Sequence, residues 1–361
     1  MTPKRRIIPF FIPNTGCARD CVFCDQRLIS GETASVSPDR VRSAINRLLE
    51  ADQFGFAHGE GRQDEESRGT SSTPEHTAQP APFEVAFYGG SFTAIGESLQ
   101  NELLEAARPL LDLSPKNSIR VSTRPDGIDE AIVGRLKGYG VATIELGAQS
   151  MRDDVLAAAR RGHTAGDVEK AAGIVKSAGL SLILQMMTGL PRDTDEKSIL
   201  TAKRFVSLGP DGVRIYPTVV VRGTKLHEMW LGGEYREHSV GEAVALCAKL
   251  CPLFEEAGIP VIRLGLNPSD GLSAGDAVAG AYHPAFGELV YSRMYYEKAC
   301  ALLDGITPHS SVAITVPGGH KSRMTGPRRQ NIGMLTEKYS LSALKIVESD
   351  TDTSEIKIEI T

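Results

Sequence analysis

Strand-like and helix-like stretches alternate along this chain, and that alternation limits its fold more than any other feature. Short apolar runs recur as Arg6 to Ile12, EVAFYGG (84–90), SIRVSTRPD (118–126), ATIELGAQS (142–150), LSLILQMMTGLP (180–191), GVRIYPTVVV (212–221) and PVIRLGL (260–266). Between them, apolar residues return every three or four positions, the period of a helix packed on one face. Ser37 reads as an N-cap with Pro38 at the first helical position, followed by Val41, Ala44, Ile45, Leu48 and Leu49. Further helices are expected near Leu99 to Leu111, from about Asp129 to Lys137, from Asp167 to a closing Gly179, and from about Asp195 to near Gly209. Strands alternating with helices imply parallel β/α units. Roughly six such units precede residue 240, so the expected fold is α/β, a partial (β/α)6 TIM-type barrel with a small α+β C-terminal appendage. The polar and glycine-rich signatures fall just after strands, where barrel enzymes carry their active sites.

The periodicity stops over residues 52–82, which are polar and rich in Gly, Ser, Thr and Pro, and we expect a disordered insertion there. Residues 1–300 are then the core barrel and 301–361 a small basic module. The chain has 361 residues, 41% hydrophobic and 24% charged, so it can bury a sizeable core. No run approaches the roughly 18–20 apolar residues that span a bilayer, and MTPKRRIIPFFIPNTGC lacks the features of a secretory leader. A cytoplasmic protein with no membrane partner is expected. The net charge of −5 excludes nucleic-acid binding by bulk charge, so any such binding must come from a local patch.

Cys17, Cys21 and Cys24 lie within GCARDCVFC, a C-x3-C-x2-C spacing that brings three soft thiolates to one loop. A closed zinc site needs a fourth ligand. The nearest histidine, His58, sits in the polar segment. Three cysteines with an open position suit a 4Fe-4S cluster with one iron left to bind a cofactor or substrate, while zinc completed by a distant residue stays as the alternative. Cys247 and Cys251 differ, because Val240, Val244, Cys247, Cys251 and Phe254 form one apolar helical stripe, and core packing is expected.

IPNTGCARDCVFC, FYGGSF, STRPD, IELGAQS, RRGHT and GLPRDT, in that order, resemble the radical S-adenosylmethionine (SAM) superfamily. RGHT and RIYPTVVVRGTKLHEMW are similar to the radical SAM domain of the Elongator catalytic subunit; oxygen-independent coproporphyrinogen dehydrogenase shares the core more loosely. The likeness covers about residues 6 to 290, and no acetyltransferase domain is expected after about residue 300. It implies that Cys17, Cys21 and Cys24 ligate three irons of a 4Fe-4S cluster whose fourth iron chelates SAM. It places Gly89 and Gly90 near the methionyl amine, Gln149, Arg161 and Gln185 in contact with SAM, and Phe23 near the adenine. Thr123 falls in the third-strand motif, which relatives often open with a glutamate; here it reads Ser122-Thr123-Arg124-Pro125. Gln185 stands where an acid or histidine is common, and Ser91 where many members carry glutamate. The implied chemistry is reductive cleavage of SAM to methionine and a 5′-deoxyadenosyl radical, with a flavodoxin or ferredoxin as electron donor.

The implied use of that radical is RNA modification, on tRNA. A small metabolite such as a tetrapyrrole is the alternative substrate, and a non-catalytic cluster-binding protein the alternative class. Gly318 to Lys338 carries Lys321, Arg323, Arg328, Arg329 and Lys338 against Glu337 alone, a local excess of +4 in an acidic chain. Lys321, Arg323, Arg328 and Arg329 are the candidate RNA contacts. GPRRQNI ahead of a helix faintly resembles a KH-type loop, and a plain solvated basic helix is the other reading. Strand, loop, helix, strand is expected over residues 311–348.

Overall fold

The computed structural model describes residues 5–12, 21–25, 36–57, 82–269, 271–349 and 356–360. Cys17 and residues 58–81 of the expected insertion lie outside these. The elements begin with β1 (Arg6–Ile12), α1 (Pro38–Ala57), β2 (Phe83–Gly89), α2 (Glu97–Leu113), β3 (Ser118–Thr123), α3 (Glu130–Gly138) and β4 (Val141–Gln149). There follow α4 (Asp153–Ala158), α5 (Ala165–Ser177), β5 (Ser181–Thr188), α6 (Asp195–Leu208), β6 (Gly212–Pro217), β7 (Val219–Val221) and α7 (Lys225–Leu231). The remainder is α8 (Val240–Glu256), β8 (Val261–Leu264), β9 (Ala277–Gly280), α9 (Phe286–Leu303), β10 (Ser311–Val316), α10 (Lys321–Thr325), α11 (Gln330–Lys338), β11 (Ala343–Glu348) and β12 (Lys357–Ile360). Seven strands form one sheet in the order β1-β2-β3-β4-β5-β6-β8. Parallel neighbours joined by helices make this the α/β topology of a partial barrel, and a three-stranded sheet with helices forms the C-terminal appendage. Among the described residues no helix is long and apolar enough to cross a membrane.

Two compact units divide the chain, one of residues 1–19, 32–147 and 166–183, the other of 20–31, 148–165 and 184–361. In the first unit, Ser37 Oγ accepts from Arg40 N at 3.2 Å and starts α1 at Pro38, where the cap and proline predict it. The helix runs to Ala57, beyond the end of its apolar period, because adding one residue to a formed helix costs far less than nucleating it. Asp129 caps α3 by accepting from Ile132 N at 2.7 Å. Alternation along the strands turns Val85, Phe87, Ile119 and Val121 into the apolar core, where Leu103, Leu104 and Leu110 of α2 are also fully buried. The same alternation sends Glu84, Arg120 and Glu145 to the other face. Arg120 Nη2 lies 2.8 Å from Glu84 Oε2, and its Nη1 lies 3.7 Å from Glu145 Oε2, with both glutamates buried.

In the second unit, GVRIYPTVVV is two strands and not the single run its composition predicts. Thr218 breaks it: its N–H and Oγ1 both donate to Thr188 O, at 2.9 and 2.7 Å. β6 continues in parallel beside β8, while β7 pairs antiparallel with β9. Gly280 of β9 has φ of 89° and passes so close to the break that a Cβ would stand 2.8 Å from Thr218 O. Ser239 and Glu242 form a capping box that starts α8. Cys247 and Cys251 are buried in the core, as their helical stripe predicts; burial pushes both thiols up, Cys251 to about 12, so they stay neutral. Toward the C-terminus, Leu303, Val312, Ile314, Val316 and Leu335 bury together, with strand order β11-β10-β12. The single helix expected between β10 and β11 is two, α10 and α11, because Gly326 (φ 73°) and Pro327 interrupt the backbone.

Candidate active site

Cys21 to Cys24 form a tight turn closed by Cys24 N donating to Cys21 O at 3.1 Å. Val22 pins it at both ends of its peptide: its N–H donates to Ala159 O at 3.2 Å, and its carbonyl accepts from Leu226 N at 2.6 Å. Val22 and Phe23 bury against Val155, Leu190, Val220 and Leu226. The turn is thus held by segments that follow β4 and β7, which fixes the cysteines on rigid supports. Cys21 is buried and Cys24 half-buried, and the Arg161 guanidinium (Nη1) donates to Cys21 Sγ at 3.3 Å. Among the described residues no three His, Cys, Asp or Glu side chains gather into another metal site. Two soft sulfur donors on one pinned turn, one of them already accepting from a cation, fit an anionic iron–sulfur ligand set.

Gln149, the last residue of β4, lies in the same unit as the cysteine turn. It is buried with φ of 67°, and its Oε1 has no hydrogen-bond partner among the described residues. A left-handed backbone on a side-chain-bearing residue costs about 1–2 kcal/mol, and an orphaned buried acceptor about 1–3 kcal/mol. Both costs fall on one residue, which makes Gln149 the candidate for a group completed from outside the chain. His163 is buried with Nε2 3.1 Å from Ala148 O, so it ties the strand end. Gln185, in β5, is half-buried. Tyr216 OH accepts from Arg214 at 3.3 Å.

The loop after β5 carries a constellation the sequence did not announce. Tyr235 OH donates to Gly189 O at 2.6 Å, Gly189 N donates to Asp193 Oδ2 at 2.9 Å, and Ser198 Oγ donates to the same oxygen at 2.7 Å. Gly189 has φ of 72°, and a Cβ there would stand 3.0 Å from His238 Nδ1. Burial raises the pKa of both the Asp193 carboxyl and the Tyr235 phenol. A cavity of about 620 Å³ opens here, lined by Asp154, Leu190, Arg192, Asp193, Tyr235 and His238. Tyr235 and Gly189 are 46 positions apart, so no local spacing signals their bond.

In the first unit, Gly89 has φ of 95° and Gly90 N donates to Ile12 O at 2.9 Å. Thr123 is buried, and its hydroxyl shares hydrogen bonds with Ser91 Oγ (2.8 Å) and Thr93 Oγ1 (2.5 Å). The preceding strand position points the other way: Ser122 Oγ is buried with no partner among the described residues. Nothing in the sequence marks Ser122, because strand alternation alone cannot say which of two adjacent hydroxyls is left unpaired.

The basic residues of the C-terminal module are not equivalent. Arg323 stacks 4.3 Å over the Tyr291 ring and lies 3.8 Å from Glu288. Lys321 is exposed, with its backbone N–H on Glu348 at 3.2 Å. Arg328 and Arg329 are exposed and both left-handed, with φ of 49° and 61°.

Residues 78–204 match the Radical SAM superfamily, and residues 210–296 match the Radical_SAM C-terminal domain. A tRNA uridine(34) acetyltransferase of Methanocaldococcus infernus is 31% identical over 210 residues, covering 55% of this chain and 37% of that protein. Elongator complex protein 3 of Danio rerio is 32% identical over 180 residues, 49% of this chain and 33% of that protein. The chain therefore matches about a third of the length of these relatives. Among solved structures, the archaeal Methanocaldococcus infernus Elp3 with an N-terminus deletion (1-46) shares the fold, with a TM-score of 0.56 and 21% identity over 85% of this chain and 70% of that one. With two adjoining family matches, the strand-end signatures in their order and a pinned cysteine turn, the chain belongs to the radical SAM superfamily, a superfamily of enzymes.

Proposed function

We propose that this protein is a radical SAM enzyme that modifies RNA, with tRNA as its substrate. The observation that carries the SAM reading is Gln149, strained and with an orphaned buried amide oxygen, in the same unit as the cysteine turn and Arg161. In this reading Cys17, Cys21 and Cys24 hold a 4Fe-4S cluster, and Phe23, Gly89, Gly90, Thr123, Gln149, Arg161 and Gln185 hold SAM. Bound together, the two groups supply a one-electron cleavage of the SAM sulfonium that yields methionine and a 5′-deoxyadenosyl radical. The protein orients and shields. Gln149 offers an acceptor, Gly89 lets backbone approach without a Cβ, and buried Val22 and Phe23 keep water from the turn. A flavodoxin or ferredoxin supplies the electron. With a strong reductant, the protein is expected to convert SAM to 5′-deoxyadenosine and methionine, slowly without substrate. A Gln149→Ala variant should bind SAM several-fold more weakly; unchanged SAM affinity would show the pocket to lie elsewhere.

The RNA reading draws on the names of the relatives, a tRNA uridine(34) acetyltransferase and Elongator complex protein 3, and on the exposed Arg328 and Arg329. Each phosphate contact on a single strand steepens the salt dependence of binding by about −0.7, so three or four contacts give a slope of about −2 to −3. Arg328→Glu with Arg329→Glu should lower tRNA affinity and flatten that slope while sparing SAM cleavage. Arg323→Gln should matter less, because Tyr291 and Glu288 already engage that charge. Absence of tRNA binding at low salt moves the small-metabolite reading ahead.

A further inference from the structure

The contact between Arg161 and Cys21 is one that holding SAM does not require. The turn 159–161 grips the cysteine turn at two points. Ala159 O accepts from Val22 N at 3.2 Å, and two residues on the Arg161 guanidinium donates to Cys21 Sγ at 3.3 Å. Arg160, with φ of 53°, and Gly162, with φ of 71°, bracket Arg161 with two left-handed residues that reverse the chain there. Arg161 N donates to Leu156 O at 2.9 Å, closing the end of α4. Arg161 and Cys21 are 7% and 8% exposed, so the guanidinium charge sits beside the sulfur with little water to screen it.

We propose that Arg161 sets the reduction potential of the cluster through its hydrogen bond to the Cys21 thiolate. This inference rests on the reading of Cys17, Cys21 and Cys24 as cluster ligands. Reduction adds one electron and no proton to the four-iron core. The core with its three thiolates passes from one net negative charge to two, and the electron comes from the external donor. A buried cation donating to a ligand sulfur favours the more negative state, and potentials of such clusters respond to net charge, hydrogen bonds to sulfur and solvent exposure. Arg161 therefore raises the potential and makes the cluster easier to reduce before SAM arrives. It acts through Cys21 and is in this respect a positioning residue.

The test is an EPR-monitored redox titration of anaerobically purified protein without SAM, with iron and sulfide content measured beside it. Arg161→Gln keeps a donor and removes the charge. At the wild-type midpoint its reduced-to-oxidised ratio should fall about tenfold, which is about 59 mV for one electron. Arg161→Lys should shift by less than half of that, and the exposed neighbour variant Arg160→Gln should not shift. An Arg161→Gln protein with full iron and sulfide and an unmoved midpoint overturns the proposal. A second measurement needs no cluster in the glutamine variant. Reduced wild type grown with nitrogen-15 arginine should show a nitrogen hyperfine coupling to the cluster by ENDOR that Arg161→Lys abolishes; a wild type without that coupling also overturns it. A wild type that assembles no 4Fe-4S cluster defeats the radical SAM reading itself, whereas a clustered, SAM-cleaving wild type with no coupling and no shift defeats only this inference.

Discussion

Protein purified without oxygen is expected to carry about four irons and four sulfides per chain, and the Cys17→Ala, Cys21→Ala, Cys24→Ala protein essentially none. The chain has six cysteines, and their surroundings separate the thiols packed in a helix core from those on the pinned turn. Cys247 and Cys251 face the core of α8, where desolvation raises both thiols far above the range in which a thiolate ligand forms readily at neutral pH. Cys247→Ser and Cys251→Ser should therefore leave iron content unchanged, even where they lower stability. Cys21 and Cys24 sit on a turn pinned by Ala159 and Leu226, with Arg161 beside the first sulfur. Iron retained by the triple variant, or zinc bound stoichiometrically in place of iron, would sink the assignment.

Arg120→Ala should be among the most destabilising single substitutions, by about 3–5 kcal/mol. That is a large fraction of the roughly 5–15 kcal/mol that holds a typical domain folded. Arg120 lies between Glu84 and Glu145 on adjacent strands, with both carboxylates almost wholly buried. Without it, Glu84 keeps among the described residues the weaker help of Ser118 at 3.4 Å and of Arg5 at 3.8 Å, the latter substantially exposed. The loss measures the penalty of leaving buried charge uncompensated, not the net worth of the ion pair. Replacing all three residues together, as Glu84→Leu, Arg120→Met and Glu145→Leu, should recover most of the loss. Urea midpoints at constant slope give the measurement; an Arg120→Ala protein within about 0.5 kcal/mol of wild type, the range of an ordinary surface change, would show that solvent reaches the pair.

What the sequence determined by itself was whatever depends on neighbours in the chain. Short apolar runs placed β1, β2 and β4 closely, and a period of three to four marked the buried stripe of α8, since a strand buried on both faces or a helix packed on one writes that pattern into its own residues. Ser37–Pro38 and Asp129 marked helix starts because a cap is satisfied within three residues. The cysteine spacing and the strand-end signatures were legible for the same reason. Tertiary structure decided what depends on partners far along the chain. The split of GVRIYPTVVV at Thr218 needs the Thr188 carbonyl, 30 positions away. The Thr123 hydroxyl differs from that of Ser122 because Ser91 and Thr93, 32 and 30 positions away, engage it. Arg161 meets Cys21 across 140 positions, and Arg323 is engaged by Tyr291 and Glu288 of another helix. Charge counting along Gly318 to Lys338 treats five basic residues alike; only packing separates the exposed Arg328 and Arg329 from an Arg323 already held by a ring and a carboxylate, because the burial and pairing of a charge are properties of its surroundings in space.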